Sequence, residues 1–147
     1  MSYLNDGEKV LWNVDLEDLR VTTYQLKRDF LAAKTITIPP ENRVYIMGGI
    51  SNGKPSSACY EYVLENSELV SVAPMKIPKY GMALCYIPKY EMIVSVGGRG
   101  AQTRLGITEI YSPRKNQWKM VGNLNKPRAA ASVVFTPSGL WCFGGVN

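Results

Sequence analysis

Histidine is absent from this 147-residue chain. The commonest general base at neutral pH and the commonest zinc ligand are therefore missing. Cysteine is sparse: Cys59, Cys85 and Cys142 lie far apart, each in or beside an apolar stretch. Such thiols fit a reduced, cytoplasmic protein better than a disulfide framework or a metal site. No apolar run reaches the roughly 18 residues of a membrane-spanning helix. The opening "MSYLNDGEKV" carries acid early and has no apolar core, so it does not resemble a secretory signal. Acid is scarce in the second half, where residues 74–147 hold 10 Lys/Arg against 2 Asp/Glu, whereas residues 1–73 hold 7 against 10. Those basic charges stand singly (Lys76, Lys79, Lys89, Arg99, Arg104), with only Arg114 and Lys115 adjacent. This scatter suits a solvated surface or a face for an acidic protein partner, and makes a nucleic-acid groove the weaker reading.

What the chain does have is repetition. Diglycines occur at Gly48–Gly49, Gly97–Gly98 and Gly144–Gly145, spaced 49 and 47 residues apart. Each closes a short apolar run: "RVYIMGG", "MIVSVGG" and "LWCFGG". Pro39, Pro88 and Pro137 precede them at intervals of 49 residues, and Tyr62 and Tyr111 follow at the same interval. Leu69 and Trp118 stand seven residues beyond those tyrosines, and Trp12 and Leu19 form an earlier pair with that spacing. One unit breaks into "SACYEYVL", "SELVSVA", "KYGMALCYI" and "EMIVSVGG". Each piece is short, β-branched and aromatic, and is bounded by turn residues, which predicts strands rather than helix. "IPKYE" and "TPSG" read as hairpin turns with Pro setting the first turn dihedral. Four short strands recurring at about 45–50 residues is the period of a propeller blade.

The diglycine, the Tyr, the aromatic seven residues on and the "NLNKPRAAASVVF" that follows together resemble the kelch repeat. The resemblance covers residues 9–147 and is strongest in "GGRGAQTRLGITEIYSPRKNQWKMVGNLNKPRAAASVVF". It implies an all-β propeller of four-stranded antiparallel blades, with about three blades' worth of strands. The expected division is a half blade at 9–29, blades at 30–78 and 79–126, and a half blade at 127–147. Three blades do not close a ring, so the chain is expected either as part of a longer propeller or as half of a six-bladed ring formed with a second copy. Tyr62, Tyr111, Trp118, Val94, Val96, Ile46 and Val134 are expected to be buried, and Trp12 to pack within a blade.

Two chemical readings fail on residue type. "GGISNGKP" (48–55) matches the front of a phosphate-binding loop. However, Pro55 occupies the place of the magnesium-binding hydroxyl and no helix pattern follows. Some kelch propellers are copper oxidases or sugar isomerases, but a copper site wants the imidazoles this chain lacks. The acids Asp15, Glu17 and Asp18 read as a solvated turn, and Glu91 and Glu109 as isolated. The resemblance therefore implies a non-enzymatic interaction module, with no cofactor or metal, used as a cytoskeletal scaffold or ubiquitin-ligase adaptor. The alternative is a piece of a kelch-type enzyme whose catalytic residues lie on other blades. Partner-binding residues are expected on the loops after the diglycines and on the turns entering the next blade: Asn52, Lys54, Lys79, Tyr80, Arg99, Arg104 and Arg128. Tyr among several Arg is the composition of interface anchors.

Overall fold

A computed structural model describes residues 10–26, 28–39 and 43–147. The opening segment and the start of the first half blade at residue 9 lie outside the described residues. The strands in chain order are β1 (Val10–Val14), β2 (Val21–Gln25), β3 (Lys34–Ile38), β4 (Arg43–Met47), β5 (Ile50–Ser51), β6 (Lys54–Pro55), β7 (Cys59–Val63), β8 (Glu68–Val72), β9 (Ala83–Ile87), β10 (Met92–Val96), β11 (Ile107–Ser112), β12 (Gln117–Asn123), β13 (Ala129–Thr136) and β14 (Gly139–Val146). Among the described residues the only helical element is a single 3-10 turn at Pro88–Tyr90.

Two four-stranded antiparallel sheets form, β3-β4-β7-β8 and β9-β10-β11-β12, each meandering from one edge to the other. These are propeller blades in construction. β1-β2 and β13-β14 are two-stranded hairpins on either side in sequence. The hairpin turns explain the unequal diglycine spacing. Ile87 pairs with Met92 across a loop opened by Pro88, whereas Thr136 pairs with Gly139 across Pro137–Ser138 alone. The third unit is thus two residues shorter at this turn.

Repetition extends to backbone conformations that L-residues avoid. Gly48, Gly97 and Gly144 have φ of 63°, 63° and 64°. A Cβ on Gly48 would lie 2.5 Å from the Lys79 carbonyl oxygen, and one on Gly97 would lie 2.4 Å from that of Arg128. Glycine is thus required twice over, for the left-handed turn and for the close approach of the next connector.

The two blades share one core, in which Tyr45, Met47, Cys59 and Met75 meet Met82, Ile93, Tyr111 and Trp118. The Tyr45 and Tyr111 rings pack edge to face with centroids 5.8 Å apart. A second cluster seats Leu11 and Leu26 against Val44, Ile46 and Tyr62. Tyr62, Tyr111, Trp118, Val94, Val96 and Ile46 are buried as expected. Val134 is not: it is 45% exposed, on a hairpin that has only two strands among the described residues. Trp12 is 37% exposed and contributes less packing than its type suggests. Its hairpin likewise has only two strands.

Candidate partner-binding face

The loop after each of the first two diglycines is held by the connector that enters the next blade. After Gly49, β5 and β6 form a minute hairpin whose tip, Asn52–Gly53, has φ of 51° and 72°. Two positive φ values make this an Asn-Gly turn of the kind that suits tight hairpins. The sequence resembling a phosphate loop is therefore a strand reversal, with no helix N-terminus behind it. Asn52 and Lys54 are exposed on it. The Ser56 carbonyl then accepts the Lys79 amide at 3.1 Å, and the Lys79 carbonyl accepts the Gly49 amide at 3.0 Å.

The same hydrogen bonds recur one unit on. The Leu105 carbonyl accepts the Arg128 amide at 3.1 Å, and the Arg128 carbonyl accepts the Gly98 amide at 2.8 Å. Here the loop is drawn tighter, because Tyr80 and Arg99 exchange backbone bonds of 2.8 and 3.1 Å and Arg99 bridges to Arg104. The Gly100 amide donates to the Thr103 carbonyl at 2.9 Å, closing a turn with Ala101 and Gln102 at its tip and the two arginines flanking its base. Tyr80, Arg99, Arg104 and Arg128 are thereby brought onto one backbone-braced surface, with Arg99 and Arg104 exposed and Tyr80 and Arg128 half-buried. Asn52 and Lys54 stand on the neighbouring hairpin, linked to this cluster through the Lys79 backbone.

Lys79 itself is a correction. Expected at the loop surface, it is fully buried, with its Nζ 2.6 Å from Glu109 Oε2. Glu109 is equally buried and its Oε1 accepts the Lys76 amide at 2.7 Å. Loss of water pushes the Lys79 pKa below the ordinary lysine value, and Glu109 pulls it partly back. Glu109, read from the sequence as isolated, is the counter-ion. A lysine beside Pro in a turn looks solvated, and nothing local marks an acid 30 residues away as its partner.

The pair is one part of a junction that sequence reasoning missed. Trp118 Nε1 donates to the Ala73 carbonyl at 2.9 Å, and Asn116 Oδ1 accepts both the Ala73 amide and the Tyr111 hydroxyl. The remaining acids behave as their surroundings dictate. Asp15 and Asp18 accept the backbone amides of Glu17 and Arg20 in an exposed turn. Glu91, at φ 50°, ends the 3-10 turn and pairs with Arg114 at 2.6 Å on the surface. Arg43 grips Glu61 through two bonds of 2.6 and 2.7 Å, which holds the Glu61 pKa below its usual value.

Repeated four-stranded antiparallel blades, locked by a glycine pair against the following connector, define a propeller-type repeat module. Its particular kind follows from comparison with known proteins. The Kelch motif matches residues 90–125, which run from the 3-10 turn to the end of the second blade. The chain is 34% identical to Kelch-like protein 4 of Homo sapiens over 79 residues, 53% of this chain. It is 24% identical over 126 residues, 78% of this chain, to a RING finger domain and kelch repeat-containing protein of Dictyostelium discoideum. The chain spans 11% and 12% of the lengths of these two relatives. The resemblance read from the repeats is thus borne out: the second blade carries a Kelch motif, and the chain is similar to kelch-repeat proteins.

Proposed function

We propose that this chain is a non-enzymatic protein-binding module that takes an acidic partner surface on its post-diglycine loops. One observation carries the reading: Arg99 and Arg104 project from a loop held at both ends by backbone hydrogen bonds, with Tyr80 and Arg128 on the same braced surface. A preorganised cationic loop loses little entropy on binding, and an Arg–Tyr cluster is typical of interface anchors. Kelch repeats and a RING finger domain occur together in the name of the Dictyostelium relative. That pairing supports an adaptor role, in which the blades hold one protein while attached segments act on it. Three free cysteines, one of them fully buried, fit a reducing compartment, and we place the protein in the cytoplasm.

The test is charge reversal. Arg99→Glu with Arg104→Glu should slow association with an acidic partner recovered by pull-down and flatten its dependence on salt, leaving the fold intact. Association rates measured at two ionic strengths check this, with circular dichroism as the folding control. Unchanged capture by the double variant would remove these loops from the interface.

A further inference from the structure

One transverse row of side chains changes in kind between the first two repeats, although equivalent backbone hydrogen bonds carry it. In the first repeat Leu31 bridges to Ile50, and Ile50 pairs with Pro55. In the second, Tyr80 bridges to Arg99 and Arg99 bridges to Arg104. Each residue of the second row stands 49 positions after its counterpart in the first. The bond that closes the loop is conserved between them too. The Ser56 amide donates to the Gly49 carbonyl at 2.8 Å, and the Leu105 amide to the Gly98 carbonyl at the same distance. Because the first row is wholly apolar, the loop does not need a cation at any of these places.

The backbone fixes how the two arginines stand. The Leu105–Gly98 bond and the Gly100–Thr103 bond flank the Arg99–Arg104 pair and do not join its members. That is the closer kind of antiparallel pair, with Cα atoms about 4.5 Å apart. Directly opposed residues share a face, so both arginine side chains leave the same side of the loop. Tyr80 belongs to that side as well, since Tyr80 and Arg99 exchange both of their backbone bonds. Arg99 and Arg104 are exposed, and neither has an acid within ion-pair distance among the described residues. Like charges set directly opposite one another destabilise a strand pair. The second repeat carries that repulsion where the first avoids it.

We propose that the Tyr80–Arg99–Arg104 row is a recognition site for a phosphoserine or phosphothreonine of a partner protein, with the phosphate spanning both guanidiniums. The inference rests on the reading of these loops as the binding face, and it adds the group that is read. A phosphate monoester carries about −1.5 to −2 charges at pH 7 and three acceptor oxygens. It accepts from two guanidiniums at once and relieves the repulsion between them. A carboxylate brings one charge and two oxygens, which satisfy a single guanidinium. The half-buried Tyr80 ring stands at the end of the row, where the peptide beside the phosphate can pack.

The probes are two dye-labelled glycine–alanine peptides, one with a central phosphoserine and the other with glutamate in its place. Titrated into the intact chain, the phosphoserine peptide should bind at least about tenfold more tightly than the glutamate peptide. Arg99→Gln or Arg104→Gln should each bring its affinity down to near that of the glutamate peptide. The double change Arg99→Ile with Arg104→Pro, which copies the first repeat, should remove the preference while circular dichroism shows the fold retained. Binding should also weaken as pH falls through about 6, where the phosphate takes up a proton. The chain has no histidine to titrate in that range. Equal affinities for the two peptides would overturn the phosphate assignment and leave the acidic-partner reading standing. Absent binding of the phosphoserine peptide would also overturn it, as would a preference that survives both Gln variants. Inorganic phosphate binding as tightly as the peptide would reduce the row to an ion site and overturn it likewise.

Discussion

Tyr62 and Tyr111 hold equivalent places in successive blades and both are buried, yet only one has its hydroxyl satisfied. Tyr111 donates to Asn116 Oδ1 at 2.9 Å, and the residue equivalent to Asn116 in the first blade is Ser67. Ser67 and Asn116 have φ of 56° and 47°, so the turn is the same and only the acceptor differs. An unpaired buried hydroxyl costs about 1–3 kcal/mol, and asparagine tolerates the left-handed region better than serine. Ser67→Asn should therefore raise stability by about 1 kcal/mol, seen as a higher urea midpoint with an unchanged slope. A lowered midpoint would mean that the amide cannot reach the phenol.

At the scale of strands and their junctions, one architecture is built with two chemistries. Where the second blade uses Lys79 and Glu109, the first has Phe30 and Tyr60 at the equivalent residues. Their rings lie edge to face at 5.5 Å. An ion pair out of water contributes less than its Coulomb attraction suggests, but breaking it strands a buried charge. Lys79→Ala should cost about 3–5 kcal/mol. The double change Lys79→Phe with Glu109→Tyr, which copies the first junction, should recover most of that loss. A double-mutant cycle on unfolding free energy reads this coupling, and simple additivity of the two changes would refute it.

For the molecule as a whole, burial of acidic groups sets a pH limit. Burial pushes the Cys59 thiol from 9.0 up to about 11 and the Tyr111 phenol from 10.0 up to about 12. Tyr45 is driven higher still, by burial first and then by the Glu61 charge. A group with a raised folded pKa lends its full stability below its unfolded pKa and loses it as pH climbs through the folded one. Lys79, whose pKa is lowered, works in the opposite sense as pH approaches 10.5. With Cys85, also raised by burial, four groups work in this direction against one, so the urea midpoint should fall between pH 9 and 12. Cys59→Ala should flatten the first part of that fall, and a midpoint rising above pH 9 would contradict the account.

The sequence alone determined the repeat, the strand class and the turns, because these depend on residues close together in the chain. Pro, Asn-Gly and diglycine act through local dihedrals, and alternation of apolar side chains follows from the pleat. Six of the seven residues expected in the core are there for that reason. The tertiary structure alone decided which charges are surface and which are interior. Arg99 and Lys79 both sit beside Gly or Pro near a turn, yet one is exposed on a loop and the other is sealed against Glu109. Contacts spanning 30 to 45 residues, such as Lys79–Glu109 and Trp118–Ala73, arise only when one blade is laid against the next. Val134 makes the same point in reverse: its pattern is that of a core strand, yet it lies exposed on a two-stranded hairpin. Burial is a property of the neighbour as much as of the residue, and these neighbours are distant in sequence.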